Sequence, residues 1–238
     1  VNRSATLLST ITLLVGVPAW SDDGAITGIG GRISLMDEHP GVALLAEYVH
    51  ARVDLAAGTA NVECVFVLSN QGGEDSVLVG FPERAGGDTG AQPFSSFRSF
   101  VDGQEVTCTR VKGDLDPDPL YWWTKKISFA AGETRVISDE YESPLGSSIG
   151  DSTGNFASFE YTLWTGSSWA GRIRSASIVL TVAPCGASIS EAKYVRPPPL
   201  KADPCEYRWH FSEAEPGRNT PGGIHLAWLI PFSEARAP

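Results

Sequence analysis

The chain has 238 residues, 42% apolar and 19% charged, a globular rather than a disordered composition. Its formal charge is −10, from 18 basic and 28 acidic side chains, with no basic run. Nucleic acid and anionic membranes recruit clustered Lys and Arg, so neither is an expected partner.

The chain opens with Arg3, an apolar run from Ala5 to Val17, and the small-residue exit Val17-Pro18-Ala19. That order is the pattern of a secretory signal peptide over residues 1–19, with export to the periplasm or beyond after cleavage near Ala19. The run is shorter than the roughly 20 apolar residues a bilayer requires, so no stable membrane insertion of the mature chain is expected.

Beyond it no amphipathic helix stands out. Short β-rich runs separated by turn residues predict strands instead. The first runs from Val42 to Leu55 and turns at Ala56–Thr59. Asn61–Ser69 follows, with Val62, Cys64, Phe66 and Leu68 on one face, and the Asn70–Gly73 turn leads into Ser76–Phe81. Phe97–Val101 and Glu105–Val111 flank Asp102-Gly103, the pair a tight hairpin prefers. Gly113–Pro119 is acidic and carries two prolines, and residues 113–120 are taken as a linker or loop. Then come Tyr121–Phe129, Thr134–Tyr141, Phe156–Trp164, Ile173–Val182, Glu206–Phe211 and Ile224–Ile230. With no helical crossovers, parallel βαβ folds are excluded. The expectation is an all-β chain of antiparallel immunoglobulin-like sandwiches, two in tandem over 20–112 and 121–238, with one continuous larger sandwich as the alternative.

Several phrases carry a resemblance. The strand Asn61–Ser69, the turn Asn70-Gln71-Gly72, and Val77–Glu83 ending in Gly-Phe-Pro-Glu form one. Phe129–Arg135, Tyr161–Gly166 and Trp169–Ile173 form others. The chain resembles a family of uncharacterised secreted bacterial proteins sharing a β-rich domain of unknown function. The resemblance covers most of Gly31–Val182 and implies an exported β protein, without known chemistry or functional residues.

Export makes Cys64, Cys108, Cys185 and Cys205 disulfide candidates. None forms a CxxC pair, which excludes zinc-ribbon and thioredoxin-type sites. Cys185–Cys205 would close a Pro-rich loop of about 20 residues and contribute about 3 kcal/mol. Cys64 and Cys108 sit in strand runs, where they either pair across strands or stay as thiols.

Constellations for chemistry are sparse. The histidines His39, His50, His210 and His225 lack the i, i+4 spacing of a helical zinc motif; His210 and His225 could meet only across C-terminal strands. Asp114, Asp116 and Asp118, and again Asp151, Thr153 and Asn155, alternate as Ca²⁺ ligands do, but neither loop matches the EF-hand. Ca²⁺ is therefore the one cofactor considered, and turn chemistry the simpler explanation. No Gly-x-Ser-x-Gly elbow is present, and Asp139, Glu140 and Glu142 read as the wet face of a strand rather than a glycosidase pair. The tryptophans Trp122, Trp123, Trp164 and Trp169 are candidates for a sugar-stacking platform, against burial in the core.

These readings converge on an exported, non-catalytic β-sandwich protein with a scaffold or protein-interaction role at the cell envelope, docking through a sheet edge. The alternatives are a carbohydrate-binding module using the tryptophans, and an unrecognised hydrolase. The expected partner is an envelope protein or a polysaccharide.

Overall fold

The computed structural model describes residues 34–35, 41–84, 93–112, 120–148, 154–163, 169–185, 192–203, 205–214 and 223–231. Among them are sixteen strands and no helix, so the chain is all-β as its turn-punctuated runs predict. The expected signal segment lies outside the described residues. No helix among those described is long and apolar enough to cross a membrane.

The strands form three sheets. The largest has eight, in the order β14 (Lys201–Asp203), β15 (Glu206–Ala214), β12 (Ile173–Ala183), β2 (Val42–Asp54), β3 (Thr59–Asn70), β9 (Thr134–Pro144), β5 (Ser96–Val101) and β6 (Gln104–Val106). One four-stranded sheet runs β1 (Ser34–Leu35), β4 (Asp75–Arg84), β8 (Leu120–Phe129), β7 (Thr109–Lys112). The other runs β10 (Gly146–Ser148), β11 (Gly154–Thr162), β16 (Gly223–Pro231), β13 (Ala192–Arg196). Pairing is antiparallel except between β12 and β2.

Alternation decides what each strand buries. In β3, Ala60, Val62, Cys64, Phe66 and Leu68 point inward and the residues between them face out, a period of two that buries one face. In β2 the register shifts between Leu44 and Ala46. A bulge of this kind re-aims the side chains after it, and here it turns Glu47 into the core beside Val49, Ala51 and Val53. The Asp102-Gly103 hairpin forms as its residues predict, both with positive φ (50° and 80°).

The two smaller sheets lie over different halves of the large one. Phe81 of β4 packs on Phe97 and Tyr141, and Trp123 of β8 stacks on Phe97, ring centroids 4.9 Å apart. This ties β4 and β8 to β5 and β9. Tyr161 of β11 reaches Glu47 of β2. Strands β1–β9 come from chain up to Pro144 and β10–β16 from Gly146 onward, and the amide of Leu145 between them donates to the Gly58 carbonyl (2.8 Å). The parallel β2–β12 pair joins the halves into one sheet. Residues 113–119, in the expected linker, lie outside the described residues; β7 and β8 on either side of them pair with each other.

Two of the resembling phrases meet in space. The Asn70 side chain accepts from the Gly72 amide (3.0 Å) and donates to the carbonyls of Gly73 and Ala130. Its backbone amide donates to Glu133 O (2.9 Å), and the Glu133 carboxylate accepts from the Ala130 amide (2.6 Å). The Asn-Gln-Gly-Gly turn and the Ala-Ala-Gly-Glu turn are therefore one clamp, with Gly132 at φ 71° supplying the left-handed step. Replacing Asn70 by Ala strands these buried partners and lowers stability by about 1–3 kcal/mol, read from a denaturant midpoint.

Candidate functional site

The four tryptophans do not share a face. Trp122, opposite Pro82 in register, lies on the outer side of its sheet. Trp123 points inward and donates its Nε1–H to Glu83 (2.7 Å). Trp169 is buried in the common core, and Trp164 lies outside the described residues. His210 sits on β15 beside the Ser177 hydroxyl (3.0 Å), while His225 belongs to a different sheet, so the two are not cross-strand neighbours. No group of three metal-ligating side chains occurs among the described residues. The Asp114–Asp118 loop lies outside them, as do Asp151 and Thr153.

Cys185 and Cys205 form the expected disulfide, Cα atoms 5.1 Å apart, linking the end of β12 to the start of β15. Cys64 and Cys108 are free thiols, the first sealed in the core and the second half-buried. Burial pushes the Cys64 thiol well above its usual pKa, with the nearby Asp139 and Glu47 carboxylates adding to the rise.

The carboxylates behave differently from the sequence expectation. Glu140 and Glu142 are on the wet side of β9, but Asp139 is wholly buried and forms an ion pair with Lys125 of the facing sheet. Asp139 shares its strand face with Ile137 and Tyr141, so the alternation that puts Glu140 outside puts Asp139 inside. Glu83, closing the Gly-Phe-Pro-Glu phrase, is buried too. Its two oxygens accept from the Phe94 amide (3.1 Å), Arg110 Nε (2.7 Å) and Nη2 (3.1 Å), and Trp123 Nε1. The Arg110 guanidinium also lies over the Tyr121 ring, 3.6 Å from its centroid. Deeper in the core, Tyr161 donates its hydroxyl proton to Glu47 (2.8 Å). Each of these carboxylates holds two elements together, and sequence reasoning missed all three as core residues.

The solvent side of the eight-stranded sheet carries a row of charged side chains. Strand register sets His50, Glu63, Glu140 and Arg98 in one cross-strand row, with Arg52 and Asn61 in the next. Glu63 and Glu140 stand directly opposite, a like-charge pair that costs stability in isolation. Arg98 lies 3.7 Å from Glu140 and makes a two-pronged contact with Glu105 (3.0 and 2.9 Å). Arg52, Asn61, Glu63, Arg98 and Glu140 line a cleft of about 340 Å³. Partial burial, and then Arg52, hold the His50 imidazole below its usual pKa. Tyr48, 44% exposed, and Val136, 40% exposed, are apolar points on the same face. By contrast the edge strands of the eight-stranded sheet are short among the described residues: β6 and β14 have three residues each. Short, charged edges resist strand addition.

No protein-family model and no curated protein matches the chain. Among solved structures, a candidate nutrient binding protein from Legionella pneumophila subsp. pneumophila is similar at TM-score 0.63 and 15% identity, over 88% of this chain and 73% of that one. A yeast LTA4 hydrolase is similar at TM-score 0.42 and 8% identity, over 81% of this chain and 30% of that one. A zinc metallopeptidase from Deinococcus radiodurans is similar at TM-score 0.38 and 12% identity, over 79% and 43%. The first likeness shows a shared fold and nothing more. The chain spans less than half the length of the two hydrolases.

Proposed function

We propose that the chain is an exported, non-catalytic binding module at the cell envelope, and that it engages a polar protein surface through the open face of its eight-stranded sheet. The observation that carries this reading is the charged row around the 340 Å³ cleft, where Arg52, Glu63, Arg98 and Glu140 are held in fixed cross-strand register. Mixed charge on a rigid sheet favours electrostatic matching with a protein partner. The face is preferred to the edges of the same sheet as the docking element, because β6 and β14 offer three residues each.

Export rests on the signal-like pattern of residues 1–19. The two facing layers are read as two immunoglobulin-like sandwiches fused through β2 and β12. A polysaccharide partner is less favoured, because Trp122, Trp123 and Trp169 point to three different surroundings. The described role of the Legionella structure in nutrient binding is an analogy of fold, compatible with a binding module.

Co-purification from the host envelope tests the reading. Full-length chain carrying Arg52→Glu and Arg98→Glu should fold normally yet lose its envelope protein partner by about tenfold or more, with capture by the unaltered chain weakening as salt rises. Undiminished capture by the variant, or a bound polysaccharide in place of a protein, contradicts the proposal.

A further inference from the structure

Lys125 and Asp139 lie on consecutive strands, β8 and β9, that belong to different sheets, 14 residues apart in the chain. Val79 is the register partner of Lys125 on β4, and Cys64 and Ser99 flank Asp139 on β3 and β5. The two residues are 3% and 0% exposed. Nζ stands 2.5 Å from Oδ1 and 5.9 Å from the centroid of the Phe97 ring. The other carboxylate oxygen, Oδ2, is buried and makes no hydrogen bond among the described residues. Both ions have therefore left water at a large desolvation cost, and half of the carboxylate has nothing to offset it.

We infer that this pair is the precursor of an intramolecular isopeptide bond, between Nζ of Lys125 and Cγ of Asp139, that forms inside the folded core and staples the two sheets. In the step, a proton passes from Nζ to Oδ1 across their hydrogen bond, leaving an amine and a carboxylic acid. The amine lone pair attacks Cγ, and a second proton passes from the nitrogen to the Oδ1 hydroxyl. The Cγ–Oδ1 bond then breaks and one water departs. Both hydrogens of that water come from the ammonium, and Oδ2 remains as the carbonyl oxygen of the new amide. Nothing is oxidised or reduced, and no co-reactant is required.

Three physical effects favour the bond at this place. Condensation replaces two desolvated charges by one neutral dipole, which removes the cost of keeping them in the core. The fold holds the nitrogen against the carboxyl group, so a step that is bimolecular in solution becomes unimolecular. The seam excludes water, so the reverse hydrolysis lacks its reactant. The proton moves within the pair itself, which makes condensation slow relative to folding. Freshly folded chain therefore carries the ion pair, and the amide accumulates on standing. Once formed, the bond closes a loop in the unfolded chain and favours the fold as a disulfide does.

The test is the intact mass of the folded full chain, with its disulfide reduced, taken fresh and after a week well below its melting temperature. A species lighter by one water is expected to grow in until it is the majority of the chain. A tryptic map should then show one branched product joining the segment that holds Lys125 to the segment that holds Asp139. Lys125→Arg keeps a cation opposite Asp139 but lacks a nucleophilic amine, and its mass should not change with time. The map of the unaltered chain decides the matter whether or not that variant folds. An unchanged mass in the aged chain overturns the inference. So does a water loss that maps elsewhere, such as a cyclic imide at Asp102-Gly103, or one that persists in Lys125→Arg.

Discussion

Glu83→Ala lowers the stability of the fold by about 3–5 kcal/mol, the cost of leaving buried charge and donors without their partner. The argument rests on how many groups converge on one carboxylate. Glu83 is wholly buried and satisfies the Phe94 amide, two nitrogens of Arg110 and the indole of Trp123. Losing it orphans the Phe94 and Trp123 donors inside an apolar ring cluster and deprives Arg110, on the edge strand β7, of its carboxylate partner on β4. For a chain of this size the melting temperature should fall by about 10 °C. Glu83→Gln keeps an acceptor oxygen and the shape but loses the charge, so its loss should be about half as large. A drop below 1 kcal/mol in Glu83→Ala, measured by denaturant unfolding, would show that the clamp is not what ties β4, β7 and β8 together.

The second large effect lies at the ion pair between the sheets. Lys125→Met leaves the Asp139 carboxylate uncompensated in the core and should cost about 3–5 kcal/mol; Asp139→Leu leaves Lys125 in the same position and should cost a similar amount. The double variant removes both charges and fills the seam with apolar volume. It should recover most of the loss and end within about 2 kcal/mol of the unaltered chain, on either side. The double-mutant cycle therefore carries a coupling of several kcal/mol. Additive losses would mean the two side chains act independently, and that the sheets are held by the surrounding aromatic packing alone.

Much of the fold could be read before any coordinates. The alternation in Asn61–Ser69 correctly selects Val62, Cys64, Phe66 and Leu68 as the core face of β3, because one buried face leaves a period-two mark. The Asp102-Gly103 turn and the Cys185–Cys205 bridge were equally legible, since local backbone preference and loop length decide them. Other features depend on distant partners. Glu47 enters the core only because a bulge after Leu44 shifts the parity of β2, and no local residue marks that shift. The signal for Asp139 and Lys125 was present but outweighed: each is in phase with apolar neighbours, Ile137 and Tyr141 for one, Ile127 and Phe129 for the other. Counting phase rather than charge would have found both. The open face of the large sheet was invisible for another reason, since its charged row is assembled from β2, β3, β5 and β9 across the whole first half.

That face is best tested by position. A photoreactive side chain placed at Glu63, on the open side of the large sheet, is compared with one at Lys126, on the outer side of the facing sheet, in full-length chain expressed in its host. The proposed role predicts a discrete crosslinked protein from position 63 and none from position 126, with both variants melting like the unaltered chain. Equal crosslinking from the two positions, or a product from 126 alone, would contradict the assignment of the eight-stranded sheet as the binding surface.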